Sequence, residues 1–166
     1  MYKKLSVLIP VYNEKSTIEK CVNTVLNSNI GDLELEVIIS DNNSSDGTKE
    51  ILSKINDKRV KVLYRSYNNG KGANIKNALK EANGDLILFQ DADLEYSPND
   101  YLALLEPFYK FNADVVYGSR LTRAKTTSIV GFPNYLGNLI ITFVVNLIFN
   151  KIFSDIATGY KVFKKD

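Results

Sequence analysis

The sequence contains no histidine and only one cysteine, Cys21. A chain with one cysteine cannot form an intramolecular disulfide, and a chain without histidine cannot build a Cys/His zinc site or a catalytic triad with an imidazole base. Any metal ion must therefore be bound by oxygen atoms, which are the ligands that Mg²⁺ and Mn²⁺ prefer in proteins.

The sequence also has little excess of charge of either sign. Lysine and arginine number 21 against 19 acidic residues, and the net charge of +2 is too small to indicate a nucleic-acid partner. The chain of 166 residues lacks low-complexity tracts, internal repeats and linker-like runs of Gly, Ser or Pro. We therefore expect a single domain over 1–166 and no binding of nucleic acid.

The first residues lack the features of a targeting segment. Residues 1–4 run directly into an apolar, strand-like stretch, without the apolar core and cleavage site of a signal peptide. This predicts a cytoplasmic protein in a reducing compartment.

Short apolar runs rich in β-branched residues alternate with segments of helical periodicity. The predicted buried strands are 5–9, 35–39, 60–63, 86–89 and 115–117. The predicted helices are 16–26, 46–55, 73–82 and 98–111. This alternation predicts an α/β fold with an open, mainly parallel sheet flanked by helices.

The segments that follow four of these strands are unusually polar. They are 10–14, 41–48, 90–95 and 118–120. In open α/β sheets, ligands bind beyond the carboxyl ends of the strands. We therefore expect these segments to meet in one cleft.

The most distinctive of them lies in the stretch FQDADLEY, in which Asp91, Asp93 and Glu95 alternate with other residues. In an extended chain all three carboxylates would point the same way, where unpaired charges repel and raise one another's pKa values. A bound Mg²⁺ or Mn²⁺ would relieve that repulsion and would also bind substrate phosphates. The alternative is a solvated acidic turn at the start of the helix near Pro98.

Three further residues are candidates for binding a nucleotide. Asp41 occupies the position from which α/β nucleotide sites hydrogen-bond a ribose or base, and its alternative role is an Asx turn. Lys71 lies in the glycine-containing stretch 69–73, which either binds phosphate or serves as a hinge and packing loop. Arg120 is placed either to bind a diphosphate or to form a surface salt bridge.

Residues 126–150 contain no charged side chain. Glycine, proline and asparagine interrupt this segment too often for a transmembrane helix. Asn138, Thr142 and Asn146 form a polar stripe at helical spacing, beside a broad apolar face. This pattern fits either a helix of the protein core or a helix that lies on a membrane surface.

Six motifs occur along the chain in a definite order. They are IPVYNE at 9–14, DNNSSDGT at 41–48, NGKG at 69–72, DAD at 91–93, GSR at 118–120 and ATGYK at 157–161. Together they resemble the inverting GT-A-fold glycosyltransferase family of dolichyl-phosphate mannosyltransferase and bacterial polyprenyl-phosphate sugar transferases. The resemblance covers nearly the whole chain and implies a GT-A type, Rossmann-like fold in one catalytic domain. Because relatives usually continue beyond 160–163, this domain is either truncated at its C-terminus or a minimal enzyme.

The resemblance also implies roles for particular residues. The expected donor-binding residues are Pro10, Tyr12, Glu14, Asp41, Lys71, Asp91, Ala92 and Asp93. Of these, Lys71 comes from the glycine-containing stretch rather than from the resemblance. The implied ligands of Mg²⁺ or Mn²⁺ are Asp91 and Asp93, with Glu95 at a position where some relatives use a third ligand. Arg120 resembles an arginine near the donor phosphates, so the expected catalytic residues are Asp91, Asp93 and Arg120.

The implied reaction is metal-dependent transfer of a sugar, with inversion, from a nucleotide-sugar donor such as GDP-mannose or a UDP-sugar. The implied acceptor is a dolichyl or undecaprenyl phosphate at the cytoplasmic face of a membrane. A lipid phosphate is already anionic at neutral pH and needs no strong general base, and the sequence shows no unambiguous base outside the acidic cluster. Two alternatives stay open, namely transfer to a glycan or protein hydroxyl and a donor-binding domain without activity.

Overall fold

The computed structural model describes residues 2–119, 132–150 and 152–165. Each predicted strand and helix is present in it, with shifts of a few residues at the ends. The strands are β1 (Lys4–Val11), β2 (Glu34–Asp41), β3 (Val60–Tyr64), β4 (Leu86–Phe89), β5 (Val115–Tyr117) and β6 (Lys161–Lys164). The helices are α1 (Ile18–Leu26), α2 (Thr48–Leu52), α3 (Gly70–Glu81), α4 (Tyr101–Lys110) and α5 (Phe132–Phe149). A 3₁₀ turn at Pro98–Asp100 leads into α4.

The strands form one six-stranded sheet in the order β3-β2-β1-β4-β6-β5. β1 is central and pairs in parallel with β2 on one side and with β4 on the other, while β3 extends the parallel part beyond β2. β6 pairs antiparallel with both β4 and β5. The sheet is therefore open and mainly parallel, as the alternation of strands and helices predicts.

Among the described residues, β6 is the strand that the sequence pattern does not predict. Its sequence, KVFK, begins and ends with lysine and has Val162 as its fully buried side chain. So short and charged a segment has no clear strand pattern, and it becomes a strand because it fills the space between β4 and β5 and pairs with both. Its position brings the residues just before it close to the end of β4.

Alternate side chains of β1 point to opposite faces of the sheet and enter different parts of the core. On one face, Leu5, Val7 and Ile9 pack with buried side chains of α1, α2 and α4. On the other face, Leu8 packs with Ala78 of α3 and with side chains of β2 and β4. Helices therefore cover both faces of the sheet, and the strand ends are the natural place for a ligand.

The polar stripe of α5 faces the protein. Asn138 Nδ2 donates a hydrogen bond to Asp155 Oδ1 (2.9 Å), and Thr142 Oγ1 donates one to Asn138 Oδ1 (3.4 Å). The side chain of Asn146 makes two hydrogen bonds with the backbone of Phe153, at 3.0 and 2.8 Å. The stripe thus attaches α5 to the segment that leads towards β6.

The other side of α5 is an exposed apolar surface. It consists of Leu136, Leu139, Ile140, Ile141, Phe143, Val144, Leu147 and Ile148. The exposed fraction reaches 73% at Leu147, so within the described part of this chain α5 does not lie in the core, contrary to one of the two interpretations of this segment. Within the described ranges, no helix is long and apolar enough to cross a membrane.

Candidate functional site

A cleft of about 350 Å³ opens at the carboxyl ends of β1, β2 and β4. Its lining residues are Pro10, Val11, Tyr12, Glu14, Asn42, Asn68, Gly70, Lys71, Asn74, Asp91, Ala92 and Asp93. Every residue predicted to bind the donor is among them except Asp41. The strand ends therefore meet as the parallel topology requires.

The loop after β1 is held in place by the loop after β2. Asn13, at a φ of +56°, donates its backbone N–H to Ser44 Oγ (2.8 Å) and accepts from Ser45 N at its Oδ1 (2.9 Å). Glu14 N donates to Thr48 Oγ1 (2.9 Å). Side chains of one loop thus satisfy the backbone of the other, and this fixes the direction in which the first loop faces the cleft.

Asp41 is completely buried at the edge of the cleft. Its neighbours Val11, opposite it on β1, and Asn42 both line the cleft. Its Oδ2 accepts from Ser44 N (3.1 Å), whereas Oδ1 has no hydrogen-bond partner in the described part of the chain. A buried oxygen without a partner costs on the order of 1–3 kcal/mol, and an N–H or O–H group of a ligand would remove that cost.

Three asparagines that line the cleft were not predicted from the sequence. Asn74, buried near the start of α3, donates to Ser40 O (2.6 Å) and accepts from Ser40 Oγ (2.5 Å). Asn42 Nδ2 donates to Asn68 Oδ1 (2.5 Å). These bonds fix the first turns of α3, which contain the glycine-containing stretch, and Asn68 just before it to the end of β2. For Asn74 the sequence offered a signal, because it lies four residues before Ala78 and so on the same, buried face of the helix.

The acidic segment does not stay extended after Asp91. The chain turns over 92–96, Leu94 adopts a φ of +64°, and Glu95 N donates to Asp93 Oδ1 (3.0 Å). As a result Asp91 and Asp93 line the cleft and Glu95 does not. The prediction that three carboxylates point the same way is therefore wrong, because it required an extended chain with alternating side chains and the turn breaks that alternation. In the described residues, no three acidic or thiol side chains form a metal-binding group.

Negative charge nevertheless accumulates at the cleft. Burial, together with the carboxylates of Asp93, Glu14 and Asp91, raises the pKa of the Cys21 thiol to about 12. The ammonium group of Lys71 lies 2.6 Å from Asp91 Oδ1 and balances part of this charge. A hard divalent cation fits this set of groups, since carboxylate oxygens are present and are only partly neutralised. Asp91 and Asp93 are the residues that would hold it.

The segment before β6 packs tightly against the acidic turn. A Cβ on Gly159 would lie 2.7 Å from Asp91 Oδ2 and 2.7 Å from the ring of Tyr96. Gly159 N also donates to Tyr96 Oη (2.7 Å). The motif at 157–161 is thereby brought beside the cleft. Arg120, predicted to lie near the donor phosphates, falls outside the residues that the structure describes.

Comparisons with known proteins agree with this fold. Residues 6–165 match glycosyl transferase family 2. The chain belongs to this family. The resemblance drawn from the six motifs and the expected GT-A fold are both confirmed.

Three relatives indicate how far the similarity of this family 2 chain extends. The dolichol-phosphate mannosyltransferase of Pyrococcus furiosus is 34% identical over 121 residues, or 72% of this chain and 34% of that protein. The UDP-N-acetylglucosamine–dolichyl-phosphate N-acetylglucosaminyltransferase of Methanococcus voltae is 26% identical over 180 residues, or 98% of this chain and 70% of that protein. The mannosyltransferase PcManGT of Pyrobaculum calidifontis, solved with GDP-Man and Mn²⁺, superposes with a TM-score of 0.66 at 22% identity, over 99% of this chain and 45% of that chain. The chain spans about a third of the length of the Pyrococcus protein.

We expect Lys71→Met to bind Mn²⁺ alone more tightly than the wild-type chain, because it removes the ammonium group that competes for Asp91. Lys71 is largely exposed, so the change should be modest, roughly two- to fivefold in Kd. Electron paramagnetic resonance of free Mn²⁺ measures it. Lys80→Met, in the last turn of the same helix, is the matched control and should leave the Kd unchanged. An unaltered Kd in Lys71→Met would contradict the competition.

Gly159→Ala should lower the free energy of unfolding by about 1–3 kcal/mol, because the new methyl group meets Asp91 and Tyr96. Gly137→Ala on α5 is the control. A Cβ at Gly137 has nothing within 4 Å, and alanine favours a helix over glycine by up to about 1 kcal/mol. Thermal unfolding followed by circular dichroism compares the two. Equal melting temperatures would mean that the contact with the acidic turn is not tight.

Proposed function

We propose that this chain transfers a sugar from a nucleotide-diphospho-sugar to a polyprenyl phosphate, with inversion at the anomeric carbon and with Mg²⁺ or Mn²⁺. The observation that carries the proposal is the cleft, where Pro10, Tyr12 and Glu14 line one volume with the two carboxylates predicted to bind the metal, and Asp41 lies buried at its edge. The relatives support it, since two of them are named for mannosyl or N-acetylglucosaminyl transfer and for dolichol or dolichyl phosphate.

The nucleoside is proposed to lie between Tyr12 and Asp41. Tyr12 is about half exposed at the cleft and offers an aromatic face on which a base can stack. The unpartnered Oδ1 of Asp41 is proposed to accept from an N–H of the base or an O–H of the ribose, which requires the fully buried carboxylate to become accessible when the donor binds. Both GDP-mannose and UDP-sugars are donors that these two contacts accommodate.

The diphosphate is proposed to lie between Lys71 and the carboxylates of Asp91 and Asp93. When bound, Mg²⁺ or Mn²⁺ neutralises the charge that develops on the leaving nucleoside diphosphate. Lys71 is within reach of the same region and would move its charge from Asp91 to a phosphate oxygen. The presence of Mn²⁺ with GDP-Man in the Pyrobaculum structure supports this arrangement.

A phosphate acceptor suits the side chains of this cleft. One of its anionic oxygens bonds to the anomeric carbon as the bond to the diphosphate oxygen breaks, and the electron pair leaves with the nucleoside diphosphate. No proton has to be removed from such a nucleophile, whereas a sugar hydroxyl would need a general base. Besides Asp91 and Asp93, the acid that lines the described cleft is Glu14, whose Oε2 accepts a hydrogen bond from Thr17 Oγ1 (2.6 Å).

The exposed apolar surface of α5 supports a lipid acceptor. α5 is attached through Asn138 and Asn146 to residues 153–155, which lead within a few residues to Gly159 beside Asp91. One short stretch of chain therefore supports both the apolar surface and the acidic turn. We propose that this surface lies in the interface at the cytoplasmic face of a membrane, where it would bring the cleft to a polyprenyl phosphate.

A nucleotide sugar that serves as donor should raise the melting temperature much more when a divalent cation is present than in EDTA. The panel is UDP-glucose, UDP-N-acetylglucosamine and GDP-mannose, each with Mn²⁺, Mg²⁺ or EDTA. At a hundredfold excess over Kd the stabilisation is about 2.7 kcal/mol, which corresponds to roughly 5–10 °C for a chain of this size. Asp93→Asn should abolish the metal-dependent part, whereas Asp32→Asn, exposed and outside the cleft, should not.

Transfer of labelled sugar from that donor then tests the reaction, with a short-chain polyprenyl phosphate and free saccharides competing as acceptors. Label in the lipid phosphate is the expected product. Label found solely on a saccharide would overturn the phosphate acceptor, and donor binding without any transfer would favour an inactive donor-binding domain. Full transfer by a folded Asp93→Asn protein, or in EDTA, would exclude the metal role.

Leu147→Glu should weaken co-sedimentation of the chain with phosphatidylcholine vesicles that contain polyprenyl phosphate. Burial of a large apolar side chain is worth about 1.5–3 kcal/mol, so we expect at least a tenfold fall in partitioning. Phe111→Glu is the matched control, because that ring is 77% exposed but lies just beyond α4. Equal effects of the two substitutions would contradict a membrane role for α5. Self-association that Leu147→Glu abolishes would instead indicate contact between copies of the chain.

A further inference from the structure

Gln90 joins the end of β4 to the acidic turn and is 1% exposed. Its Oε1 accepts hydrogen bonds from Tyr101 Oη (2.7 Å) and Tyr160 Oη (2.9 Å). Its Nε2 donates to Asp91 O (2.9 Å) and to Tyr96 O (3.4 Å). The amide therefore uses two acceptor and two donor positions, all with partners inside the protein.

The partners determine which way this amide points. If its oxygen and nitrogen were exchanged, the oxygen would face two carbonyl oxygens, which cannot donate. The hydroxyl groups of Tyr101 and Tyr160 can donate, and they lie on the side where Oε1 accepts. The orientation of Gln90 is thus fixed by its surroundings, and a buried network with every member paired is rigid.

The network connects three parts of the site. Asp91 and Tyr96 mark the beginning and end of the acidic turn, and both of their carbonyl groups are held by Gln90. Tyr160 belongs to the segment before β6, where Gly159 packs against Asp91 Oδ2. The rings of Tyr96 and Tyr160 also pack together, with centroids 4.7 Å apart. Gln90 therefore holds both ends of the turn from its inner side, beside the weaker contact of Cys21 Sγ with Asp91 O (3.7 Å).

We propose that Gln90 is a positioning residue for the metal and diphosphate half of the cleft. By holding both ends of the turn, it fixes the backbone from which Asp91 and Asp93 reach the cleft, without itself contacting the ligand. This inference rests on the proposed function, because it requires that these two carboxylates bind a metal together with a nucleoside diphosphate. The nucleoside half, around Tyr12, is built on the ends of β1 and β2, whereas the hydrogen bonds of the Gln90 side chain go to Asp91, Tyr96, Tyr101 and Tyr160.

A purely structural role for Gln90 gives a different expectation. Loss of packing would weaken the whole domain and would affect all ligands alike. A positioning role weakens specifically the binding that needs the metal. Tyr101→Phe provides the matched control, since it removes one buried hydrogen bond to Oε1 but leaves both bonds from Nε2 to the turn in place.

The experiment compares the wild-type chain, Gln90→Met and Tyr101→Phe by calorimetric titration with UDP and with GDP, each in Mn²⁺ and in EDTA. For the nucleotide that binds, Gln90→Met should raise the Kd in Mn²⁺ by about tenfold or more and change the Kd in EDTA by less than about twofold. Tyr101→Phe should lower the melting temperature but keep both Kd values within about twofold of wild type. If Gln90→Met does not melt cooperatively, Gln90→Leu replaces it, since a leucine side chain at this position is apolar and cannot donate to the turn.

The outcomes separate the two levels of the proposal. Wild-type chain that binds neither nucleotide more tightly with Mn²⁺ contradicts the proposed function, and the role of Gln90 with it. If the wild-type chain binds a nucleotide more tightly with Mn²⁺ and the Gln90 variant has the same Kd in Mn²⁺ as the wild type, the positioning role alone is overturned. The positioning role is also overturned if the variant's Kd rises by the same factor in Mn²⁺ and in EDTA, because that result indicates general destabilisation.

Discussion

The parallel pairing of β1 with both β2 and β4 is the constraint on which the cleft depends. Because the three strands run the same way, their carboxyl ends lie at one edge of the sheet, with Val11 opposite Asp41 and Leu8 opposite Phe89. Parallel strands cannot be joined by tight hairpins, so the loops at this edge have few strand-like bonds to use. Side chains such as Asn13 and Ser44 satisfy their backbone groups instead, and this explains why the segments after the strands are rich in small polar residues.

The same need to pair buried polar groups explains the unusual placement of α5. Once Asn138 and Asn146 are hydrogen-bonded to residues 153–155, the helix can rotate no further without breaking those bonds. Its apolar surface is therefore directed away from the protein. Contact with a lipid phase would remove that surface from water, and the proposed acceptor, a polyprenyl phosphate, is met at such a phase.

The sequence predicts the strands that follow from local apolar patterns, and the place of the cleft, which follows from those strands and a general rule for open sheets. The apolar runs 5–9 and 86–89 indicate parallel strands, and the rule for open sheets then brings Tyr12 and Asp91 to one cleft. β6 was not predicted because its strand character comes from its neighbours. The turn at Leu94 was not predicted either, since leucine carries no signal for a positive φ.

Buried polar partners were the least predictable part of the site. The helical spacing of Asn138 and Asn146 reveals a stripe, but periodicity does not tell which side of a helix faces the protein. Gln90 stands at the start of the polar segment 90–95, and its proposed role depends on two tyrosines that lie far from one another in the sequence. Such networks are defined by tertiary contacts, so they become visible only when the fold is known.

The charges at the acidic turn give a reason for donor and metal to bind together. Lys71 neutralises part of the charge of Asp91, and a divalent cation bound as proposed would compete with it for that carboxylate while the cleft holds no phosphate. A diphosphate changes this balance, because it offers Lys71 a new anionic partner and adds oxygen ligands for the cation. The proposed metal role of Asp91 and Asp93 therefore implies cooperative binding, in which the nucleotide sugar and the cation each make the other's site more favourable.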